Sequence, residues 1–158
     1  MRAALAFLAA CNGGSAAATD APPADARAGC TATWTGNFAE VATSATPCAT
    51  IDSGMIVFDA PSATLAKPLP VAIQLATSAV GSYSSETVTA WSANETRMIL
   101  GNTCVFEAGA QTTPHGDFTL TLDDAEAPHG TLQLDLVVLA GVVSVCGTPL
   151  AETLELAF

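Results

Sequence analysis

The 158-residue sequence is short of positive charge. Four Lys and Arg stand against fifteen Asp and Glu, a formal net charge of -11. Phosphate recognition needs clustered cations, so nucleic acid and anionic lipid head groups are excluded as partners. No Cys-x-x-Cys is present, which removes thioredoxin-like redox chemistry and leaves zinc without its usual ligand pair. The gaps between Cys30, Cys48, Cys104 and Cys146 are 17, 55 and 41 intervening residues. There is no Gly-x-Ser-x-Gly elbow, no Walker loop and no strand–Gly-x-Gly-x-x-Gly–helix unit. No cofactor is implied. No apolar run reaches the ~20 residues of a membrane helix. No window keeps a 3.6-residue period over three turns, so long amphipathic helices are not expected.

What remains is apolar and finely broken. Half of the residues are hydrophobic and 12% are charged, which is not the composition of a disordered chain. From Cys30 onward Thr, Val, Leu and Ile recur in short runs interrupted by Gly, Pro, Asn and Asp. Candidate strands are Thr31–Val41, Met55–Asp59, Val71–Ala76, Ser84–Ser92, Arg97–Leu100, Cys104–Ala108, Asp117–Asp123, Thr131–Leu139, Val142–Cys146 and Thr153–Phe158. The pattern predicts an all-β fold, an antiparallel β-sandwich of about eight to ten short strands. Its clearest unit is an imperfect repeat: Pro114-His115-Gly116 opens one alternating run and Pro128-His129-Gly130 opens a second. Read as a hairpin, it places Leu122 opposite Leu132, Leu120 opposite Leu134 and Phe118 opposite Leu136, with one dry face and one wet face. The unbroken apolar stretch at 137–143 reads as strand covered on both faces.

The N-terminus carries a motif of a different kind. Arg2 is followed by an apolar run, Ala3 to Ala10, and then Cys11. Leu8-Ala9-Ala10-Cys11 resembles the lipobox of bacterial lipoproteins. That resemblance implies that residues 1–10 are a signal segment and that Cys11 carries a lipid. It further implies a bacterial cell envelope protein, lipid-anchored at the outer membrane or cell surface. Residues 12–29 hold no aromatic or β-branched aliphatic residue. Residues 11–29 therefore read as a flexible tether, and 30–158 as the folded domain. The closing segment Leu154-Glu155-Leu156-Ala157-Phe158 looks like the last strand of outer-membrane β-barrels, but a soluble sandwich ends with the same alternation. The four cysteines and the scarcity of aromatics argue against the barrel.

Candidate site residues are few. An exported chain permits disulfides, and four cysteines allow three connectivities. Cys30–Cys48 would close the N-terminal strands and Cys104–Cys146 would tie the late ones. His115 and His129 precede opposite ends of the hairpin, about 20 Å apart at strand rise, too far for a shared metal. They read as turn residues. The acidic loop Asp123–His129 offers Asp123, Asp124 and Glu126 as weak calcium candidates, but it lacks the spacing of a calcium loop, and a solvated turn explains it better. Trp34, Tyr83 and Trp91 are candidates for ligand binding through their ring faces; the alternation around both tryptophans also suits core positions. Glu40, Glu86, Glu95 and Glu107 carry no mark that singles one out.

Together these readings predict an exported, membrane-anchored protein with a non-enzymatic binding or structural role. The membrane is reached through the lipid at Cys11, and a glycan or a protein is the expected partner. A carbohydrate-binding sandwich module and a small hydrolase are the alternatives.

Overall fold

The computed structural model describes residues 29–36, 38–76, 79–113, 115–141, 143–146 and 150–158. The expected signal segment, Cys11 and the tether up to residue 28 lie outside the described residues. In chain order the strands are β1 (Cys30–Gly36), β2 (Glu40–Ser44), β3 (Ala49–Asp52), β4 (Met55–Ala60), β5 (Leu69–Gln74) and β6 (Gly81–Ser84). Then come β7 (Trp91–Ile99), β8 (Asn102–Gly109), β9 (Asp117–Asp124), β10 (His129–Ala140), the helical turn α1 (Val143–Cys146) and β11 (Leu150–Ala157). The fold is all-β and antiparallel, and the eleven strands belong to one sheet.

The twelve-residue β10 is the element around which the sheet forks. One edge pairs with β11 from Thr131 to Val137. Its other edge pairs with β9 from His129 to Asp135, then with β8 from Val137 to Ala140. One limb therefore runs β2-β1-β11-β10-β9-β6, and the other runs β8-β7-β5-β4-β3. The sheet curls so that the two limbs face each other. Trp91 of β7 meets Phe118 of β9 at 4.8 Å between ring centroids, and Phe58 of β4 meets Phe158 at 4.8 Å. Inward positions follow the two-residue period of a strand: β9 buries Phe118, Leu120 and Leu122, and β10 buries Leu132, Leu134 and Leu136, none more than 2% exposed.

The repeat forms a hairpin, but two residues out of the expected register. Leu132 lies opposite Leu120, and Leu134 opposite Phe118. A slip of one residue would turn the three apolar side chains of one strand outward, at about 1.5–3 kcal/mol each. A slip of two keeps every face, so hydrophobicity cannot choose between the registers and the turn decides. Asp124 extends β9, and its Oδ1 accepts the Glu126 and Ala127 N–H groups at 2.9 and 3.1 Å. A bulge at His129/Gly130 takes up the difference. Gly130 then lies so close to Thr121 O that a Cβ there would clash, and it exchanges two backbone hydrogen bonds with Phe158 (2.9 and 3.1 Å).

Three further segments depart from expectation. Thr31–Val41 is two strands, β1 and β2, paired Trp34 to Glu40. Ser84–Ser92 is mostly turn: Thr87 N–H and Val88 N–H both donate to Ser84 O, and Ser84 N–H donates to Thr87 Oγ1. Ser and Thr compete for backbone groups in this way and stop a strand. Within Val142–Cys146, residues 143–146 form a helical turn and Val142 lies outside the described residues. The Cys104–Cys146 disulfide, with Cα atoms 5.7 Å apart, pins Cys146 to β8, and the chain must curl to reach it.

Candidate functional site

The alternation of β7 points Trp91, Ala93, Glu95 and Arg97 into the space between the limbs. Two of these four are charged, and both are 5% exposed. From β11, Glu152 joins them at 1% exposure. Arg97 Nε donates to Glu95 Oε1 at 2.8 Å, and its Nη2 lies 3.5 Å from Glu152 Oε2. The guanidinium lies against two aromatic rings, 5.0 Å from the Trp34 ring centroid and 4.4 Å from that of Phe38. Both contacts suit a planar cation withdrawn from water.

One guanidinium serves three acids here, because Glu40 of β2 also borders the group. Burial is the first cause that pushes the Glu152 carboxyl up, to about 9. The neighbouring Glu95 adds to it through a hydrogen bond and through its charge; Arg97 pulls the other way, and Glu40 adds a further push. Glu152 is therefore a neutral acid at pH 7. As a bare carboxylate it would leave both oxygens without a hydrogen-bond donor; as an acid it donates to Glu95. That removes one buried charge, which two like-charged neighbours would otherwise make costly.

The segment between β4 and β5 closes over this cluster. Pro61 O accepts the Trp34 Nε1–H at 3.0 Å, Ser62 Oγ donates to Glu40 Oε1, and Arg97 Nη1 donates to Thr64 Oγ1. The buried charges thus hold a loop in place. Beyond that loop lies a surface cleft of about 590 Å³, walled by residues 65–70 on one side and by Asn94, Glu95 and Thr96 of β7 on the other, with Asp59 at its rim. A second depression, about 340 Å³, lies on the outer face of the other limb among Thr31, Thr33, Thr119, Thr131, Gln133 and Glu155.

The sequence candidates fall elsewhere. Trp34 and Trp91 sit in the core at 1% and 6% exposure. Tyr83, on β6, is half-buried and donates its hydroxyl to Ala79 O at 2.5 Å. No aromatic shelf joins the three. Asp124 caps its own turn, while Asp123 Oδ2 lies 3.7 Å from His129 Nδ1. His115 lies beyond Asp117, which pairs with Asp135, at the far end of the hairpin from His129. Among the described residues, no group of three or more His, Cys, Asp or Glu is placed to hold a metal. Both disulfides form, Cys30–Cys48 and Cys104–Cys146. Sequence reasoning does not single out Glu95, Arg97 or Glu152, although one signal is there. Each occupies an inward position of an alternating strand, where an apolar residue is the rule.

The chain matches no family model, no curated protein and no solved structure.

Proposed function

We propose that this is an exported, lipid-anchored envelope protein whose disulfide-stabilised β domain serves a non-enzymatic binding role. The observation that carries the reading is the arithmetic of the cysteines. Four of the five close two disulfides within the domain, as suits an oxidising compartment. The fifth is Cys11, the cysteine of the lipobox-like Leu8-Ala9-Ala10-Cys11. The cluster of unusual carboxyls supports a structural use of those groups: the Glu95 and Glu152 side chains are 2% and 0% exposed, sealed beneath a loop that they help to hold. Strong acidity keeps such a domain soluble beside a membrane that it does not bind directly.

The test is metabolic labelling with a palmitate analogue in a bacterial host, followed by membrane fractionation. The expected result is lipid label on the full chain and membrane recovery, both lost in Cys11→Ser. An unlabelled wild-type chain, or label that survives Cys11→Ser, would refute the anchor.

A further inference from the structure

We propose that the open edge of β7 is a docking site for an extended peptide that carries basic side chains. β7 runs from Trp91 to Ile99 and is paired with β8 along Ser92–Ile99. On its other side, pairing with β5 covers only Trp91 to Ala93. The next rung on that side falls at Pro70, which has no N–H to donate. β5 begins at Leu69, and the chain before it, residues 65–68, lines the 590 Å³ cleft together with Leu69 and Pro70 instead of continuing the strand. No strand of the described residues takes the place that β5 leaves, so Thr96 and Met98 present an unpaired strand edge. Both are exposed.

A row of unpaired N–H and C=O groups beside a groove complements one chemistry above all, another backbone in extended form. The other ends of the sheet are poorer templates. β2, β3 and β6 are only five, four and four residues long. The loop wall is fastened by Thr64 and Ser62 to the buried charges, so the groove is built before any partner arrives. Charge selects the partner further. Within the cleft Asp59 is offset by Lys67, so the bias comes from the surrounding surface. Glu107, which accepts Asn94 Nδ2–H at 2.6 Å, lies on the same outer face, and the chain as a whole carries -11. Acidic peptides are repelled and basic ones are drawn in.

This deepens the binding role proposed above and rests on it only for the side of the membrane on which the partner is met. A missing lipid label would overturn the anchor and leave peptide binding untouched. The experiment uses the full chain with Cys11→Ser, ¹⁵N-labelled and disulfide-bonded. The probes are a capped octapeptide of alternating Val and Lys, its Val–Glu counterpart, and the Val–Lys peptide N-methylated at alternate residues. The expected result is saturable binding of the Val–Lys peptide, with the Thr96 and Met98 amides exchanging at least about tenfold more slowly. The N-methylated and Val–Glu peptides bind at least about tenfold more weakly. Thr96→Pro, which removes a donor that no β strand uses, abolishes the protection. Should that variant not fold, Asp59→Lys reverses the preference between the Lys and Glu peptides. Equal binding of the N-methylated peptide, perturbation confined to the threonine-rich face, or no binding at all would overturn the proposal. So would protection of Thr96 that rises with protein concentration in the absence of peptide, which would make the edge a contact between two copies of this chain.

Discussion

At the scale of single residues, Glu152 has the clearest measurable consequence. Its carboxyl titrates near 4.5 when free and near 9 in the fold, so between those values the folded state holds a proton that the unfolded state has released. Its contribution is therefore fully present below about pH 4.5 and is lost as pH rises toward 9. The slope is about 1 kcal/mol per pH unit for one such group. Urea denaturation at pH 5 and pH 8 is expected to show the lower midpoint at pH 8. Glu152→Gln keeps a hydrogen-bond donor facing Glu95 but no longer titrates, so it should flatten that slope and raise the pH 8 midpoint. An unchanged slope in the variant would remove Glu152 as its source. Arg97 explains why the neighbouring acids are tolerated at all: a buried carboxylate without a cation costs several kcal/mol, and Arg97 reaches both Glu95 and Glu152 while packing against the Trp34 and Phe38 rings.

At the scale of elements, the β9–β10 hairpin separates what alternation can say from what it cannot. Alternation assigns the inner face of both strands, because the side-chain period of two admits only one dry side. It is blind to a slip of two residues. Asp124 and Gly130 set the register through backbone contacts. Gly130→Ala should show this. Its φ of 156° and its approach to Thr121 O leave no room for a Cβ, and the expected cost is on the order of 2–3 kcal/mol. The hairpin, and the two hydrogen bonds to Phe158, would loosen first. Hydrogen exchange at Thr131, Gly130 and Phe158 reads this directly, and unchanged protection would mean that the bulge is not the anchor. The β7–β8 turn follows the same logic by a different route. Leu100 and Gly101, at φ 47° and 82°, give the two positive dihedrals that a tight two-residue turn demands. A Leu at the first of these positions is no turn signal, and in sequence Arg97–Leu100 reads as a strand of its own. Ser84–Ser92 misleads in the opposite way: its Thr and Val look extended until Ser84 captures the following N–H groups.

For the whole molecule, both disulfides work between limbs: Cys30–Cys48 joins β1 to the chain entering β3, and Cys104–Cys146 joins β8 to the helical turn between β10 and β11. Cys30–Cys48 spans 18 positions and Cys104–Cys146 spans 42, worth about 3 and about 4 kcal/mol in the chain-entropy account. The paired change Cys104→Ser/Cys146→Ser should therefore lower stability more than Cys30→Ser/Cys48→Ser. The comparison is made by chemical denaturation of both variants beside the parent. The reverse order would mean that native contacts around β1 outweigh loop length. The all-β class of fold and the inner faces of its long strands are legible in the sequence, since composition, a two-residue period and turn residues act locally along the chain. Lipidation at Cys11 and export are proposals that rest on the sequence motif Leu8-Ala9-Ala10-Cys11. The candidate site is not legible there. Glu95 and Arg97 stand two apart on β7, Glu152 lies more than fifty residues later on β11, and Ser62 and Thr64 belong to a loop between two other strands. Only curling of the sheet brings them together, and only in that dry interior does a guanidinium among three acids acquire its chemistry. The open edge of β7 is likewise decided in three dimensions, because a strand's edge is defined by the neighbour that turns away from it.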